Sequence, residues 1–444
     1  TNPKFTSIVS IGNYSFQDCT LIDTVTLPET AQSLGIGAFS GCSRLGRLTI
    51  RAGLVKIGSK AFEKCSSLKK ASVNASVISS YAFDGCSALT DMTFGKDIAV
   101  IGEYAFRGTG LSEFKIDGAN EFITFKDNDR SIVYKYETVG NTKEYNELVV
   151  AAPRANLGDV NVEAKIIATG AFSGNISLRS INAPNIENVG NYAFAGCINL
   201  TSIKIDAAKT IGDYAFYGCS SLTATPDLKD ITTIGSYAFS MTAVKSVIIP
   251  NDAVVGDYAF AGCYNNDTKE YSLTDVTIGE NATIGEGVFF NGWGGMLEYR
   301  SSSITQAYIN AYYNKYKEES STSSSGLKTT YSYYKLNFDK DSSGTILTIP
   351  SVIKNVKIGE GTTIGNYAFA AAGNLVSLTL DGGVKIGNYA FANAISLESV
   401  DLSGVAELGE YAFAGMNYRD WMIITQSVTS GGQEQIVSQS LSYA

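Results

Sequence analysis

The sequence predicts a repeat solenoid of the α/β type, dominated by strands, and three observations carry that reading. A phrase made of an aliphatic residue, usually Gly, two variable positions, usually Ala, then Phe, as in Ile211-Gly212-Asp213-Tyr214-Ala215-Phe216, recurs fourteen times along the 444 residues. Its phenylalanines are Phe16, Phe39, Phe62, Phe83, Phe106, Phe172, Phe194, Phe216, Phe239, Phe260, Phe289, Phe369, Phe391 and Phe413, most of them 21 to 23 residues from the next. A fixed period in this range marks an array of stacked coils. After each Phe a second apolar pattern follows, which reads L-x-x-L-x-L in the clearest copies.

Within the first phrase, the position five before Phe is aliphatic in every copy, from Ile11 and Leu34 to Ile386 and Leu408. Four before Phe is Gly in twelve copies, and only Ser79 and Ala168 depart. A residue without Cβ lets the backbone turn tightly or approach a neighbour closely. The Ala-Phe pair then supplies one small and one large apolar side chain to the return arm of the coil.

The second phrase is clearest at Leu200-Thr201-Ser202-Ile203-Lys204-Ile205, Leu375-Val376-Ser377-Leu378-Thr379-Leu380 and Leu397-Glu398-Ser399-Val400-Asp401-Leu402. Alternating apolar residues place one side of a strand inward and the other outward, and this spacing is a leucine-rich-repeat signature. It predicts one short parallel strand per 21–23-residue repeat. Each coil alone would expose its apolar groups; stacking buries them as continuous ladders with strands about 4.8 Å apart.

The array is expected to divide into residues 1–289, an N-terminal run with a hairpin insertion at about 118–155, then an interruption at 290–345, then a C-terminal run and cap at 346–444. In the first gap, Phe122-Ile123-Thr124-Phe125, Ile132-Val133-Tyr134-Lys135-Tyr136 and Leu148-Val149-Val150 read as strands. The turn-prone Asp127-Asn128-Asp129 and Gly140-Asn141 separate them. In the second gap, Ile304, Ala307, Tyr308, Ala311 and Tyr312 recur at helical spacing, which predicts a short amphipathic helix over 304–317. The Glu- and Ser-rich run 318–326 is too polar to bury and reads as a mobile loop. A second hairpin is expected from 331–336 and 345–349, and Pro153 and Pro350 close the two interruptions.

Composition narrows the function classes. A net charge of −9 without long runs of one sign argues against a phosphate-binding surface, which needs clustered Lys and Arg; nucleic acid is not an expected partner. The chain has no histidine, which removes the commonest general base, the Ser/His and Cys/His couples and nearly every zinc site. No cofactor is expected. No apolar run approaches the roughly 20 residues that span a bilayer. The opening Thr1-Asn2-Pro3-Lys4-Phe5 is no signal peptide, and the repeats begin almost at once, so a leader or anchor is expected to be missing from this chain.

The cysteines Cys19, Cys42, Cys65, Cys86, Cys197, Cys219 and Cys263 all stand three residues after a repeat Phe. Other copies hold Thr109, Asn175, Thr242, Gly292, Ala372, Ala394 or Met416 there. They read as buried packing thiols. Bridges between adjacent coils, or reactive thiols, are the alternative; the odd count and the interchange with Ala weigh against both.

The outward residues of the strands form the candidate binding face: Thr26, Thr49, Ser72, Thr93, Lys115, Asn182, Lys204, Thr277, Thr379 and Asp401. Such an extended face is where solenoids commonly meet partners, although solvated residues of good strand propensity look the same. Tyrosine recurs two before Phe in ten copies, as a sugar- or protein-binding strip or as stacking between coils. Asp339, Asp341, Ser343 and Gly344 start like a calcium loop, but Pro350 occupies the position that needs an acidic ligand. A carboxylate-based glycosidase would need two carboxylates across a cleft roughly 5 to 10 Å wide, drawn from Asp127, Asp129, Glu144 or Glu147.

Units such as Ile364-Gly365-Asn366-Tyr367-Ala368-Phe369 followed by Leu375, Leu378 and Leu380 closely resemble the BspA-like leucine-rich repeat. The resemblance implies a right-handed coil and a surface-attached or extracellular protein of host-associated bacteria or protists, active in adhesion or matrix binding. It carries over no catalytic residues. Pro28 and Pro250 keep the family's proline after the strand, whereas Asp206 and Asp381 do not. The expected function is therefore non-enzymatic: a monomeric cell-surface or secreted protein that recognises host or microbial proteins or glycans through its extended face. The alternative is a structural spacer with no ligand of its own.

Overall fold

The structure is a computed structural model that describes residues 2–140, 142–265, 270–290, 313–336, 352–392, 394, 396–414, 421–430 and 433–443. The L-x-x-L-x-L segments pair as parallel strands. Thr24–Leu27, Arg47–Ile57, Lys70–Ile78, Asp91–Phe94 and Lys115–Ile116 follow one another in register. Their alternation is that of a half-buried strand: Val25, Leu27, Leu48 and Ala71 are sealed from solvent while Thr26 faces out.

A second strand, two or three residues long in most coils, also runs through the array and was not expected. It is centred on the aliphatic residue five before Phe. Ser10–Ile11 pairs with Ser33–Leu34 in the first coils, and a twelve-stranded sheet extends from the hairpin at 132–151 to Val405–Leu408. Two residues are too few to display an alternating pattern, which explains why periodicity did not reveal it. Among the described residues there is no helix, so the coil is built from strands and turns alone.

Between the two strands the coil turns through left-handed backbone, twice wherever both positions are described. The position two before Phe has a φ between 54° and 67° in all fourteen coils, whether it is Tyr, Lys60, Gly37, Gly170 or Gly287. The position two after Phe is left-handed as well wherever it is described, as at Gly41, Lys64, Met241 and Ala371. The glycine four before Phe has a different origin. A Cβ on Gly58 would lie 2.4 Å from the backbone of Gly35, and one on Gly102 would lie 2.5 Å from that of Ser80. Gly12, in the first coil, would meet only its own Ser15 hydroxyl, at 3.2 Å. Close approach to the preceding coil therefore selects glycine here.

The phenylalanines stack along the core. Ring centroids are 5.0 to 5.6 Å apart from Phe16 to Phe106 and 4.7 to 5.8 Å apart from Phe172 to Phe413. Burial of each ring is worth about 1.5–3 kcal/mol. The Phe289–Phe369 step is as close as the others, at 4.7 Å. Thr283–Ile284 also pairs directly with Thr363–Ile364, and Asp275–Ile278 with Asn355–Ile358. The solenoid is thus continuous across the 290–345 interruption.

The discontinuity lies instead at the first insertion. The first sheet ends with Val100–Ile101 and Lys115–Ile116. Ile123–Thr124 and the hairpin Ile132–Val139 with Thr142–Ala151 then begin the twelve-stranded sheet, Leu148 pairing with Ile167 of the next coil. Its side chains divide two cores: Val133, Val150 and Ala152 pack with the first array, while Ile132, Tyr134, Leu148 and Ala151 pack with the second. An apolar run on both faces of one hairpin is what a partition between two cores requires.

At the second interruption the expected helix over 304–317 is corrected in part: 313–317 belong to the strand Tyr313–Thr322, and 304–312 fall outside the described residues. The expected loop at 318–326 is that strand's end and a tight turn, which leads into Leu327–Leu336. Alternation in Tyr331-Ser332-Tyr333 and cross-strand pairing prevail over polar composition here. This hairpin joins Trp421–Ser430 and Gln433–Tyr443 in a four-stranded antiparallel sheet. The strand expected at 345–349 lies outside the described residues.

Candidate functional face and junction cleft

Nine of the ten outward candidates lie on strands, in three strips. Thr26, Thr49, Ser72, Thr93 and Lys115 are direct cross-strand neighbours. Asn182 and Lys204 are neighbours in the second strip, beginning at Asn161, and Thr277 and Thr379 flank Lys357 in the third. Asp401 is not on a strand; its carboxylate accepts the Ser403 N–H at 2.9 Å within a turn. The second and third strips are separated by the stretch 222–229 around Pro226, which forms no strand; proline removes a ladder donor there.

The charged members of the face are engaged. Asp91 receives Lys70 at 2.9 Å and Lys115 at 2.8 Å, and these hydrogen bonds hold its carboxyl below the usual range. Lys204 lies 3.6 Å from Asp206. Exposed pairs of this kind add little stability, so they order the surface more than they hold the fold. Pattern reading missed Ile248, 70% exposed beside Thr277 on the third strip, because an apolar residue at an outward position breaks the alternation used to find the face.

The tyrosines stack between coils, with centroids 4.6 to 5.1 Å apart for Tyr192, Tyr214, Tyr237 and Tyr258, then 5.0 to 5.1 Å for Tyr367, Tyr389 and Tyr411. Stacked rings turn only their edges to solvent, which does not suit face-on sugar binding. One position earlier a polar ladder runs beside them. Asn191 accepts the Asp213 N–H at 2.8 Å, Asp213 accepts the Ser236 N–H at 2.7 Å, and Asn366 and Asn388 repeat the contact. The recurring Gly-Asn/Asp-Tyr was the available signal for it.

All seven cysteines are free, and six are fully buried. Cys42, Cys65, Cys86, Cys197 and Cys219 donate to the Phe carbonyl of the preceding coil at 3.0 to 3.2 Å. Burial pushes the thiols of Cys42, Cys197 and Cys263 up to about 12. These groups are protonated packing residues.

At the junction a cleft of about 340 Å³ opens between the Asp127–Asp129 turn and the Asn156–Asn161 segment. Lys126 reaches Glu163 at 2.8 Å and Asp127 at 3.4 Å, while Asp129 accepts the Ser131 N–H at 2.9 Å and Asp159 the Ser180 hydroxyl at 2.6 Å. Of the carboxylates considered for glycoside chemistry, Asp127 and Asp129 line this cleft; Glu144 and Glu147 lie on the hairpin strand, Glu147 paired with Lys135 at 2.7 Å. Among the described residues no group of three His, Cys, Asp or Glu could hold a metal ion. Asp339, Asp341, Ser343 and Gly344 lie outside the described residues, and no described helix is long and apolar enough to cross a membrane.

A sequence profile of the BspA type leucine rich repeat region matches residues 9–128, 155–267 and 362–442, in six copies. No curated protein matches by sequence. Similar solved structures include a leucine-rich repeat protein from Bacteroides ovatus, at 20% identity, covering 88% of this chain and 84% of that one, with a TM-score of 0.45. Another is the pneumococcal vaccine antigen PcpA, at 21% identity over 61% of this chain and 73% of that one, TM-score 0.45. A leucine rich cell surface protein from Faecalibacterium prausnitzii is 23% identical, covering 64% and 80%, TM-score 0.39.

Proposed function

The chain belongs to the BspA type leucine-rich-repeat family, and from that premise we propose that it is a non-enzymatic recognition protein of the cell surface or extracellular space. It acts as a monomer and binds matrix proteins, surface proteins or glycans, not nucleic acid. The observation that carries this reading is the unbroken row Thr26, Thr49, Ser72, Thr93 and Lys115, held in register by parallel pairing. The row offers hydroxyls on a rigid backbone about 4.8 Å apart. A ligand would be held by many weak contacts, with affinity set by area and avidity. The interruption at 290–345 is proposed as a branch from this scaffold.

Screening the purified chain against immobilised matrix proteins and glycans tests the reading, with a Thr49→Glu, Thr93→Glu variant of unchanged melting temperature as control. Saturable binding that the variant loses supports recognition through this face; binding that it keeps moves the site elsewhere. The continuous coil stack across 290–345 favours one second reading, a spacer that holds another domain away from the surface. Silence across the panel supports that spacer.

A further inference from the structure

We propose that the first coils of the hydroxyl face bind a sulfated polysaccharide, a linear acidic glycan held by the basic residues beside Thr49 and Ser72. The proposal rests on the recognition reading of the Thr26–Lys115 row and names its ligand class. Between residues 30 and 83 eight lysines and arginines stand against one carboxylate, Glu63, in a chain whose net charge is −9. They are scattered along the sequence, and stacking gathers five of them. Arg47 is the direct cross-strand neighbour of Lys70. Arg51 is the next outward position of the Arg47 strand after Thr49, and Arg44 and Lys69 stand exposed at the entry to the two strands.

The fold does not account for this charge. Like charges directly opposite one another on paired strands oppose the pairing. At the place of Arg47 and Lys70 the other paired strands carry threonine, serine, asparagine or aspartate, as at Thr24, Ser202 and Asn355. The repeat therefore folds without a base there. Lys70 shares Asp91 with Lys115, whereas Arg44, Arg47, Arg51 and Lys69 have no ion pair among the described residues. Two adjacent coils thus hold a surplus of positive charge that no neighbour offsets, and such a surface draws anions.

Spacing and chemistry select the ligand. Arg47 and Arg51 are about 13 Å apart along one strand, and neighbouring strands about 4.8 Å apart, so a ligand that meets all the cations needs several anionic groups along its length. Guanidinium forks match the oxygens of a sulfate as they match those of a phosphate or carboxylate. The hydroxyls of Thr49 and Ser72, cross-strand neighbours beside the cations, suit the ring hydroxyls of a sugar. A protein interface is anchored by desolvated apolar and aromatic side chains, but Leu48, Ile50, Ala71 and Val73 are turned inward, at most 3% exposed. Single-stranded nucleic acid is held by rings on which bases stack, and neither strand carries one.

The test titrates a heparin octasaccharide into the full chain by calorimetry at physiological salt, with the fully desulfated octasaccharide as control. Saturable binding is expected, at least about tenfold weaker for the desulfated form and for an Arg47→Ser, Lys70→Ser variant. Serine is what Ser202 and Ser377 already supply at that position, so the variant keeps the fold. Lys56→Gln, Lys64→Gln removes the same charge from the second strand and the turn after Phe62, and it is expected to leave the affinity within about twofold. Equal binding of the desulfated form, an equal loss in the Lys56→Gln, Lys64→Gln variant, tighter binding of polyglutamate or DNA of matched charge, or no saturable binding would overturn the proposal. The recognition reading fails separately. Neutral ligands that bind and are lost in Thr49→Glu, Thr93→Glu would leave that reading standing without this ligand class, whereas silence of the whole panel would remove both.

Discussion

Gly365 packs so closely on Gly285 that a Cβ on Gly365 would fall 2.3 Å from the Gly285 carbonyl oxygen, although the 290–345 interruption lies between them in the chain. The contact belongs to the stacking of coils, not to the local turn. Gly365→Ala is therefore expected to destabilise the protein by about 3 kcal/mol, at the upper end of overpacking costs. Gly12→Ala, where a Cβ would meet only the Ser15 hydroxyl at 3.2 Å, is expected to be nearly neutral. Urea midpoints of the two variants decide the matter; equal losses would make backbone conformation the cause.

Ser79 occupies the same repeat position, and its hydroxyl is the buried side-chain oxygen or nitrogen that finds no partner among the described residues. A stranded hydroxyl costs about 1–3 kcal/mol, while its Cβ is already accommodated. Ser79→Ala is expected to raise stability by about 1 kcal/mol. A fall in melting temperature would mean that an ordered water satisfies the hydroxyl.

The stacked coil was legible in the sequence because one environment was sampled fourteen times. At Phe62 or Cys197 any single residue would be ambiguous, yet the same choice repeated at one spacing identifies a ladder. What escaped was whatever depends on three-dimensional proximity rather than period. The left-handed backbone under Tyr214 was hidden because tyrosine is not a residue that normally marks it. The junction cleft escaped because Asp127, Tyr134 and Asp159 belong to a region with no repeat, and only the hairpin brings them together. Of the helix expected over 304–317, only the end at 313–317 is described, and there strand pairing prevails over an apolar signal that is short to begin with. Of the candidate face, the outward strand positions and the interruption by an insertion at about 118–155 were foreseen, whereas the break at Pro226 was not.

Arg107 tests whether the tyrosine ladder is fastened from outside. Its guanidinium makes two hydrogen bonds to Asp84, at 2.9 and 2.6 Å, and stands 5.3 Å from the rings of both Tyr81 and Tyr104. A lysine cannot reproduce the fork or the planar stacking. Arg107→Lys is expected to lose about 1–2 kcal/mol. A double-mutant cycle with Asp84→Asn is expected to show coupling between the two, and strict additivity would show the pair to be incidental.

The thiol row gives the stability a defined alkaline limb. Burial raises Cys42, Cys197 and Cys263 to about 12, against about 8.5 in an unfolded chain. A group whose folded value is raised contributes fully below the unfolded value and loses that contribution as pH climbs towards the folded one, because the unfolded chain releases the proton first. Stability is therefore expected to hold up to about pH 8.5 and then to fall by as much as about 1.4 kcal/mol per pH unit for each such thiol. Cys197→Ala, a residue that other coils already carry as Ala372 and Ala394, is expected to flatten the slope measured by urea unfolding between pH 8 and about 10. An unchanged slope would assign the alkaline limb to the tyrosines instead. The same burial predicts that a thiol reagent at neutral pH labels the half-exposed Cys19 quickly, and the other six only as the coils open.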